Sequence, residues 1–248
     1  MVSYRVIGQP TPQTTVQGKV TGQAEYAADV SLPGMLGAAI LRSTRSHARI
    51  VQIDTTAAER LPGVHAVMTG ADVEGILVGR RFRDVPILAQ DKVRFIGERV
   101  SAVAAETREI AQQAVDLIEV EYEELPSVFD PVEALRDDAP LIHPDVNNYE
   151  GLPAKLDKPS NSYINDLSEK GDVDAGFAAS DLIVENEFTV ARVHQAYMEP
   201  HCCIAWLDDA GTMQVWAPSK APHVLKQTLA AALRVPTEQV RVNPISVG

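Results

Sequence analysis

Hydrophobic and polar residues alternate over short stretches along most of the chain, and this pattern predicts β-strands. At other places apolar residues recur every three or four positions, which is typical of helices with one packed face. Predicted strands cover residues 35–41, 50–53, 64–68, 93–105 with a break at Gly97–Glu98, 119–123, 182–190, 202–206, 213–216 and 240–242. Predicted helices cover residues 55–60, 108–118, 172–179 and 224–232.

Two of these helices carry clear signals at their ends. Thr107 is a good N-cap, and Glu109 places a negative charge in the first turn, where the helix dipole favours it. Pro236 ends the last helical pattern. Residues 70–90 have no clean period and are predicted to form a long loop.

Strands and helices alternate along the chain, but several strand pairs have the pattern of hairpins. This mixture favours an α+β fold with mixed sheets over a doubly wound parallel sheet. Prolines are spaced through residues 127–170, which are predicted to be a linker over the surface, and residues 1–17 form an N-terminal arm. The two folded regions are therefore residues 18–126 and 171–248. No Rossmann or Walker glycine signature is present, so a nucleotide site is not expected.

Composition narrows the class of protein further. Of the 248 residues, 45% are hydrophobic and 23% are charged, which is enough apolar material for a folded core. The formal net charge of −12 disfavours a nucleic-acid-binding protein, which normally has a basic face. No run approaches the roughly 18 apolar residues of a spanning helix. With only two cysteines, adjacent to each other, the sequence predicts a cytoplasmic protein without a disulfide framework.

Candidate chemistry concentrates after residue 194. A zinc site is one hypothesis, and the candidate ligands are His194, His201, Cys202, Cys203 and His223. Adjacent residues of a strand point to opposite faces, so the two cysteines are poorly placed to bind one ion together. A thiol nucleophile beside a histidine is a second hypothesis, and it requires a lowered thiol pKa. The third is that both cysteines simply pack as small apolar residues.

The order of motifs along nearly the whole chain resembles a known family. Met198–Glu199–Pro200–His201 precedes a hairpin, Ser219–Lys220 precedes a helix, and the Val240–Val242 strand leads to Gly248. Matching N-terminal segments are Gly18–Asp29, Leu32–Leu36, Leu41–Ser43, His47–Ile50, Leu61–Val64, Val93–Val100 and Glu121–Pro126. This pattern resembles the large, molybdopterin-binding subunit of the xanthine dehydrogenase and aldehyde oxidase family. Residues 18–126 then correspond to its α/β-hammerhead domain, and residues 171–248 to the start of its molybdopterin-binding domain.

The resemblance implies a molybdenum hydroxylase that oxidises an N-heterocycle, aldehyde or aromatic thioester with water as the oxygen source. It implies a molybdenum–molybdopterin cofactor shared with a C-terminal molybdopterin-binding portion. Electrons would leave through iron–sulfur and FAD subunits of a multi-subunit complex. The alternative is a truncated or split structural piece that assists assembly and is inactive alone. One discriminating observation is whether the reading frame continues past Gly248.

The resemblance also assigns candidate cofactor-binding residues, which are Ser219, Lys220 and Gly248. The family commonly has glutamine where this chain has Lys220, and that glutamine donates a hydrogen bond to an oxygen ligand of molybdenum. Lys220 either donates in the same way as a point charge or faces solvent at a helix start. The family's catalytic glutamate lies beyond the residues of this chain, so no catalytic residue and no metal ligand is assigned. Glu199 is predicted to satisfy backbone or histidine donors.

Overall fold

A computed structural model describes residues 4–13, 15–79, 81–164 and 166–248. They form two compact units, Leu36–His194 and the described residues before Leu36 together with Gln195–Gly248. The strands are β1 (Gly37–Arg42), β2 (Ala48–Asp54), β3 (Val64–Thr69), β4 (Leu77–Val78), β5 (Val85–Pro86), β6 (Lys92–Val93), β7 (Arg99–Ala105), β8 (Glu119–Glu124), β9 (Ile204–Leu207), β10 (Met213–Trp216) and β11 (Val240–Asn243). The α-helices are α1 (Val16–Val20), α2 (Thr56–Glu59), α3 (Arg108–Asp116), α4 (Val173–Ala178) and α5 (Pro222–Leu233).

The first unit is built around β7, which lies between β1 and β3 in an antiparallel sheet. Helix α3 packs on this sheet with its predicted apolar stripe, and its N-cap Thr107 accepts a 3.2 Å hydrogen bond from the Ile110 amide. Gly37 allows the close approach, since a Cβ there would lie 2.3 Å from the Arg108 nitrogen. The core residues are Ala39, Ala58, Val103, Ala105, Ala111, Ala114, Val115 and Ile118.

A second antiparallel sheet in this unit has the order β6-β2-β8. Strand β8 alternates as predicted, with exposed glutamates on one side and half-buried Val120 and Tyr122 on the other. Ala48 of β2 and Val93 of β6, which pair with each other, are fully buried. The alternation therefore reports burial on one face, as the sequence indicated.

Residues 127–164, within the segment predicted to be a linker, carry ordered local structure. Two 3₁₀ helices form at Glu133–Leu135 and Val146–Asn148. Asn161 links three turns, because its Oδ1 accepts from the Ile142 amide at 3.0 Å and its Nδ2 donates to two carbonyls, those of Ala134 and Pro140.

The second unit contains a mixed sheet in the order β11-β10-β9, in which β9 and β10 form an antiparallel hairpin and β10 and β11 are parallel. Helix α5 makes the crossover between the parallel strands and packs on β11. Asp208 shapes the hairpin turn, since its Oδ1 accepts from the amides of Ala210 and Thr212 at 3.0 and 2.8 Å. The predicted α+β class with mixed sheets is confirmed.

Two sequence expectations are wrong. The strand predicted at residues 182–190 is absent, and this stretch is extended, exposed and without strand pairing. Alternation signals a strand only if another strand is available to pair with it. The predicted loop at residues 70–90 contains a 3₁₀ helix at Gly70–Val73 and the short β4–β5 ribbon. In the described residues, no helix is long and apolar enough to cross a membrane.

Candidate functional site

The candidate site lies at one edge of the sheet formed by β9, β10 and β11. Because β10 and β11 are parallel neighbours in register, their carboxyl ends meet at the same edge. Ligands of α/β sheets bind outside the carboxyl ends of parallel strands. Ser219 and Lys220 follow β10, and residues 245–248 follow β11. The topology thus brings the three predicted cofactor-binding residues to a common edge.

Ser219 and Lys220 form the entry to α5. The Ser219 Oγ accepts a 3.1 Å hydrogen bond from the Ala221 amide, which closes a tight turn before Pro222 begins the helix. Lys220 sits in this turn with an exposed side chain, and its ammonium contacts no hydrogen-bond or ion-pair partner within the described part of the chain. The hydroxyl is therefore held in place, while the ammonium is available to an incoming ligand.

Gly248 lies against Glu199. Its amide donates a 2.6 Å hydrogen bond to the Glu199 Oε2, and a Cβ at Gly248 would lie 2.8 Å from the Glu199 Cβ. Upstream, the Ser246 amide donates to the carbonyl of Glu25 at 3.3 Å. The backbone at Gly248 thus closely approaches the Glu199 side chain, and Glu199 satisfies a backbone donor as predicted.

A chain of polar side chains crosses one face of the same sheet. Asp208 Oδ2 accepts from Gln214 Nε2 at 2.8 Å, and Gln214 Oε1 accepts from Asn243 Nδ2 at 3.1 Å. The hydrogen bond from Gln214, followed by that from the Thr212 amide, lowers the pKa of Asp208. Sequence reasoning missed this chain of contacts, which becomes visible only when the strand register places residues 208, 214 and 243 on one face.

The cysteine and histidine candidates do not converge. Across the described ranges, no group of three or more histidine, cysteine, aspartate or glutamate side chains is arranged to hold a metal ion. The Tyr197 hydroxyl and His201 Nε2 are 2.6 Å apart, with their rings stacked. Partial burial, and secondarily the neighbouring Cys202, raises the pKa of the Cys203 thiol. A raised thiol pKa reduces the thiolate fraction that nucleophilic chemistry needs.

The first unit holds an aromatic cavity that the sequence did not suggest. It has a volume of about 280 Å³ and is lined by Phe82, Asp84, Val128, Ala134, Ile142, His143, Val146, Tyr149, Ser160, Asn161 and Tyr163. His143 Nδ1 lies 2.8 Å from the Tyr149 hydroxyl. Burial, reinforced by the positive charge of Arg94, lowers the pKa of His143, so its imidazole is neutral near pH 7.

Two family models match the chain in succession. Residues 21–126 match "Aldehyde oxidase and xanthine dehydrogenase, a/b hammerhead domain", and residues 156–248 match "Molybdopterin cofactor-binding domain". The second match contains the sheet edge described above. Both matches lie in the order that the motifs predicted.

Several known proteins are similar to nearly the whole chain. The nicotinate dehydrogenase large molybdopterin subunit of Eubacterium barkeri is 35% identical over 99% of the chain and 55% of its own length. The carbon monoxide dehydrogenase large chain of Afipia carboxidovorans is 35% identical over 92% of the chain and 29% of its own length.

Solved structures agree with these relatives. Carbon monoxide dehydrogenase from Oligotropha carboxidovorans superposes with a TM-score of 0.83 at 31% identity, over 97% of this chain and 31% of that one. Quinoline 2-oxidoreductase from Pseudomonas putida 86 gives a TM-score of 0.80 at 31% identity, over 97% and 30%. The chain spans about half or less of the length of these proteins. It belongs to the xanthine dehydrogenase and aldehyde oxidase family, in which it corresponds to the N-terminal part of the molybdopterin-binding subunit.

Proposed function

We propose that this chain contributes the hammerhead domain and the first part of the cofactor-binding domain to a molybdenum hydroxylase. The reaction is oxidation of an N-heterocycle, aldehyde or aromatic thioester, with water as the oxygen source. The observation that supports this proposal is that the segments with Ser219, Lys220 and Gly248 follow two parallel neighbouring strands, inside the region that matches a molybdopterin cofactor-binding domain. The proposed domains are the N-terminal arm 1–17, the hammerhead domain 18–126, the linker 127–170 and the cofactor-binding part 171–248.

The residues at this edge suit an anionic, oxygen-rich cofactor. Within the residues that the structure describes, the Lys220 ammonium has no hydrogen-bond or ion-pair partner, and the Ser219 hydroxyl is fixed by the Ala221 amide with its proton left to donate. Gly248 would allow the backbone to approach the cofactor closely. Its own amide is used in the hydrogen bond to Glu199. These three residues would hold the molybdenum–molybdopterin group, which supplies the two-electron redox chemistry when bound. Lys220 would stabilise negative charge that develops beside it.

The exposed stretch at residues 182–193 supports the proposal that a further portion of polypeptide is a partner of this chain. Within the described residues it forms no backbone hydrogen bonds. Its large apolar side chains, all more than half exposed, are Leu182, Ile183, Val184, Phe188, Val190 and Val193. An unpaired apolar segment with strand alternation is a template for strand addition. We infer that it pairs with the C-terminal molybdopterin-binding portion of the subunit.

The complete assembly would also contain an iron–sulfur subunit and an FAD subunit, which carry the electrons away from the cofactor, and would reside in the cytoplasm. Relatives described as a large chain and as subunit gamma of a dehydrogenase complex support a multi-subunit assembly. The second candidate is a structural or assembly piece without cofactor, which the unpaired 182–193 stretch also allows.

Elemental analysis of the material that co-purifies with this chain from its native host separates these two functions. The expected result is near-stoichiometric molybdenum, together with iron and additional polypeptides. A preparation with neither molybdenum nor partner polypeptides would overturn the enzymatic proposal in favour of the structural one. We further expect the 248 residues alone to be inactive and free of molybdenum, so turnover of any aldehyde or purine by them contradicts that expectation.

A further inference from the structure

Glu199 is the side chain that holds the segment following β11. Its Oε2 accepts the Gly248 amide at 2.6 Å, across 49 residues of sequence. The contact is a charge-assisted hydrogen bond, which is shorter and stronger than one between neutral groups. No other side chain accepts from the amides of residues 245–248 within the described ranges, so this segment depends on Glu199 for its side-chain contact.

The second carboxylate oxygen shows that Glu199 is turned into the protein. Its Oε1 is buried and has no hydrogen-bond partner among the described residues. A buried acceptor without a donor is destabilising, and this offsets what the bond to Gly248 contributes. A glutamate that adds little net stability, yet is oriented inward against a loop, fits a role in positioning better than a role in folding.

The geometry also requires glycine on the opposite side of the contact. A Cβ at Gly248 would lie 2.8 Å from the Glu199 Cβ, which is near the backbone and cannot swing away as a side-chain tip can. The glutamate and the glycine are therefore a matched pair. A side chain at residue 248 would push the loop away from the carboxylate.

We propose that Glu199 is a positioning residue that anchors the loop after β11 and so sets where that loop meets the cofactor. The anchoring itself follows from this chain alone, and its effect on the cofactor rests on the function proposed above. Glu199 does not take part in bond making or breaking. It acts through the Gly248 amide, which donates to its Oε2.

The test compares Glu199→Ala and Glu199→Gln in the large subunit, each purified as the native complex. The measurements are hydrogen exchange of the amides of residues 245–248, molybdenum and pterin content, melting temperature and the pH profile of turnover per molybdenum. Glu238 is exposed at the opposite end of β11, so Glu238→Ala is the matched control.

We expect Glu199→Ala to raise exchange at the amides of residues 245–248 and to weaken molybdenum retention by about 10-fold to 100-fold, with the melting temperature close to that of the wild type. Glu199→Gln keeps an acceptor oxygen, so it should restore most of the protection and the metal content, with an unchanged pH profile. Wild-type exchange and wild-type molybdenum content in Glu199→Ala would overturn the proposal, as would a shifted pH profile in Glu199→Gln.

Two further results keep the experiment decisive. If Glu199→Ala does not fold, Gly248→Ala tests the same contact from the other side, and normal exchange and metal content in that variant overturn the anchor. If the wild-type complex contains no molybdenum, the proposed function fails. The exchange measurement then still decides whether Glu199 anchors the loop.

Discussion

The sheet beneath α3 and the sheet beside α5 each consist of three strands, yet they bury their apolar side chains to different extents. The first buries a continuous cluster of small residues in which Val103 is 1% exposed and Ala105 is fully buried. The second buries Val215 and Val240 but leaves Trp206 and Leu207 about half exposed or more. Its other face carries the polar chain Asp208–Gln214–Asn243.

The first sheet therefore acts as a scaffold, and the second sheet carries the candidate site. The first sheet packs a buried cluster of side chains against its own helix and leaves Ile40 and Met68 42% exposed, so its main contribution is stability. The second sheet has exposed apolar side chains, and the segments next to its strands hold Lys220 and Glu199. Among the described residues the Lys220 ammonium has no partner and the buried Glu199 Oε1 has no donor. The exposed apolar side chains and the buried carboxylate oxygen are unfavourable in an isolated protein and are resolved by a ligand or by more polypeptide, whereas water solvates the exposed Lys220 ammonium. These features therefore mark the second sheet as the candidate functional unit.

The largest expected effect comes from a matched pair of core substitutions, one in each sheet. Val103→Ala should lower the free energy of unfolding by about 2–3 kcal/mol, because it removes two methyl groups from a site that cannot collapse. Val215→Ala should cost about 1 kcal/mol less, since Val215 is 6% exposed and its sheet leaves Trp206 and Leu207 largely exposed. The chain has two units, so denaturant unfolding should be followed by hydrogen exchange at β7 and β10 separately. Equal losses at both positions would remove the distinction between the sheets.

Lys220→Gln tests the functional side of the comparison. In the complete complex we expect turnover per molybdenum to change by about tenfold. This change in the activation free energy corresponds to roughly one charge-assisted hydrogen bond. The free energy of unfolding should move by less than about 0.5 kcal/mol, because the side chain is exposed. Lys226→Gln, on the helix that follows, is the matched control. A parallel loss of stability and turnover would instead make Lys220 a structural residue.

Acidification should loosen the β9–β10 hairpin before it affects β7. The pKa of Asp208 is lowered by its hydrogen bonds from Gln214 and Thr212, so the carboxylate is stabilised in the folded state. Its contribution is fully present above the unfolded pKa of about 3.9 and is lost as the pH falls through the lower folded value. Hydrogen exchange at residues 208–214, followed from pH 6 to pH 2, measures this. Asp208→Asn should flatten the dependence, whereas Asp209→Asn, at the exposed neighbour, should leave it unchanged.

The sequence predicted local features well and long-range contacts poorly. Residues 213–216 form a strand as predicted, and α3 begins after Thr107 as its capping chemistry indicated. The strand predicted at residues 182–190 failed because alternation describes a face and says nothing about the presence of a pairing strand. The contact between Glu199 and Gly248 has no local signal, since it depends on the arrangement of β9, β10 and β11. Motif order, in contrast, located the edge where the candidate site lies.

The smallest effect is expected at the C-terminal end of α5, the helix beside the second sheet, where the backbone is locally strained. Arg234 adopts a left-handed conformation, with φ of 56°, and the amides of Arg234 and Val235 bond back to Ala231 and Ala230. This is a Schellman ending, in which glycine is the favoured residue. Arg234→Gly should therefore raise the free energy of unfolding by about 0.5–1 kcal/mol, after the greater freedom of glycine in the unfolded chain is subtracted. Arg234→Ala keeps the strained conformation and should give no gain, so equal melting temperatures for the two variants would show that the strain carries no energetic weight.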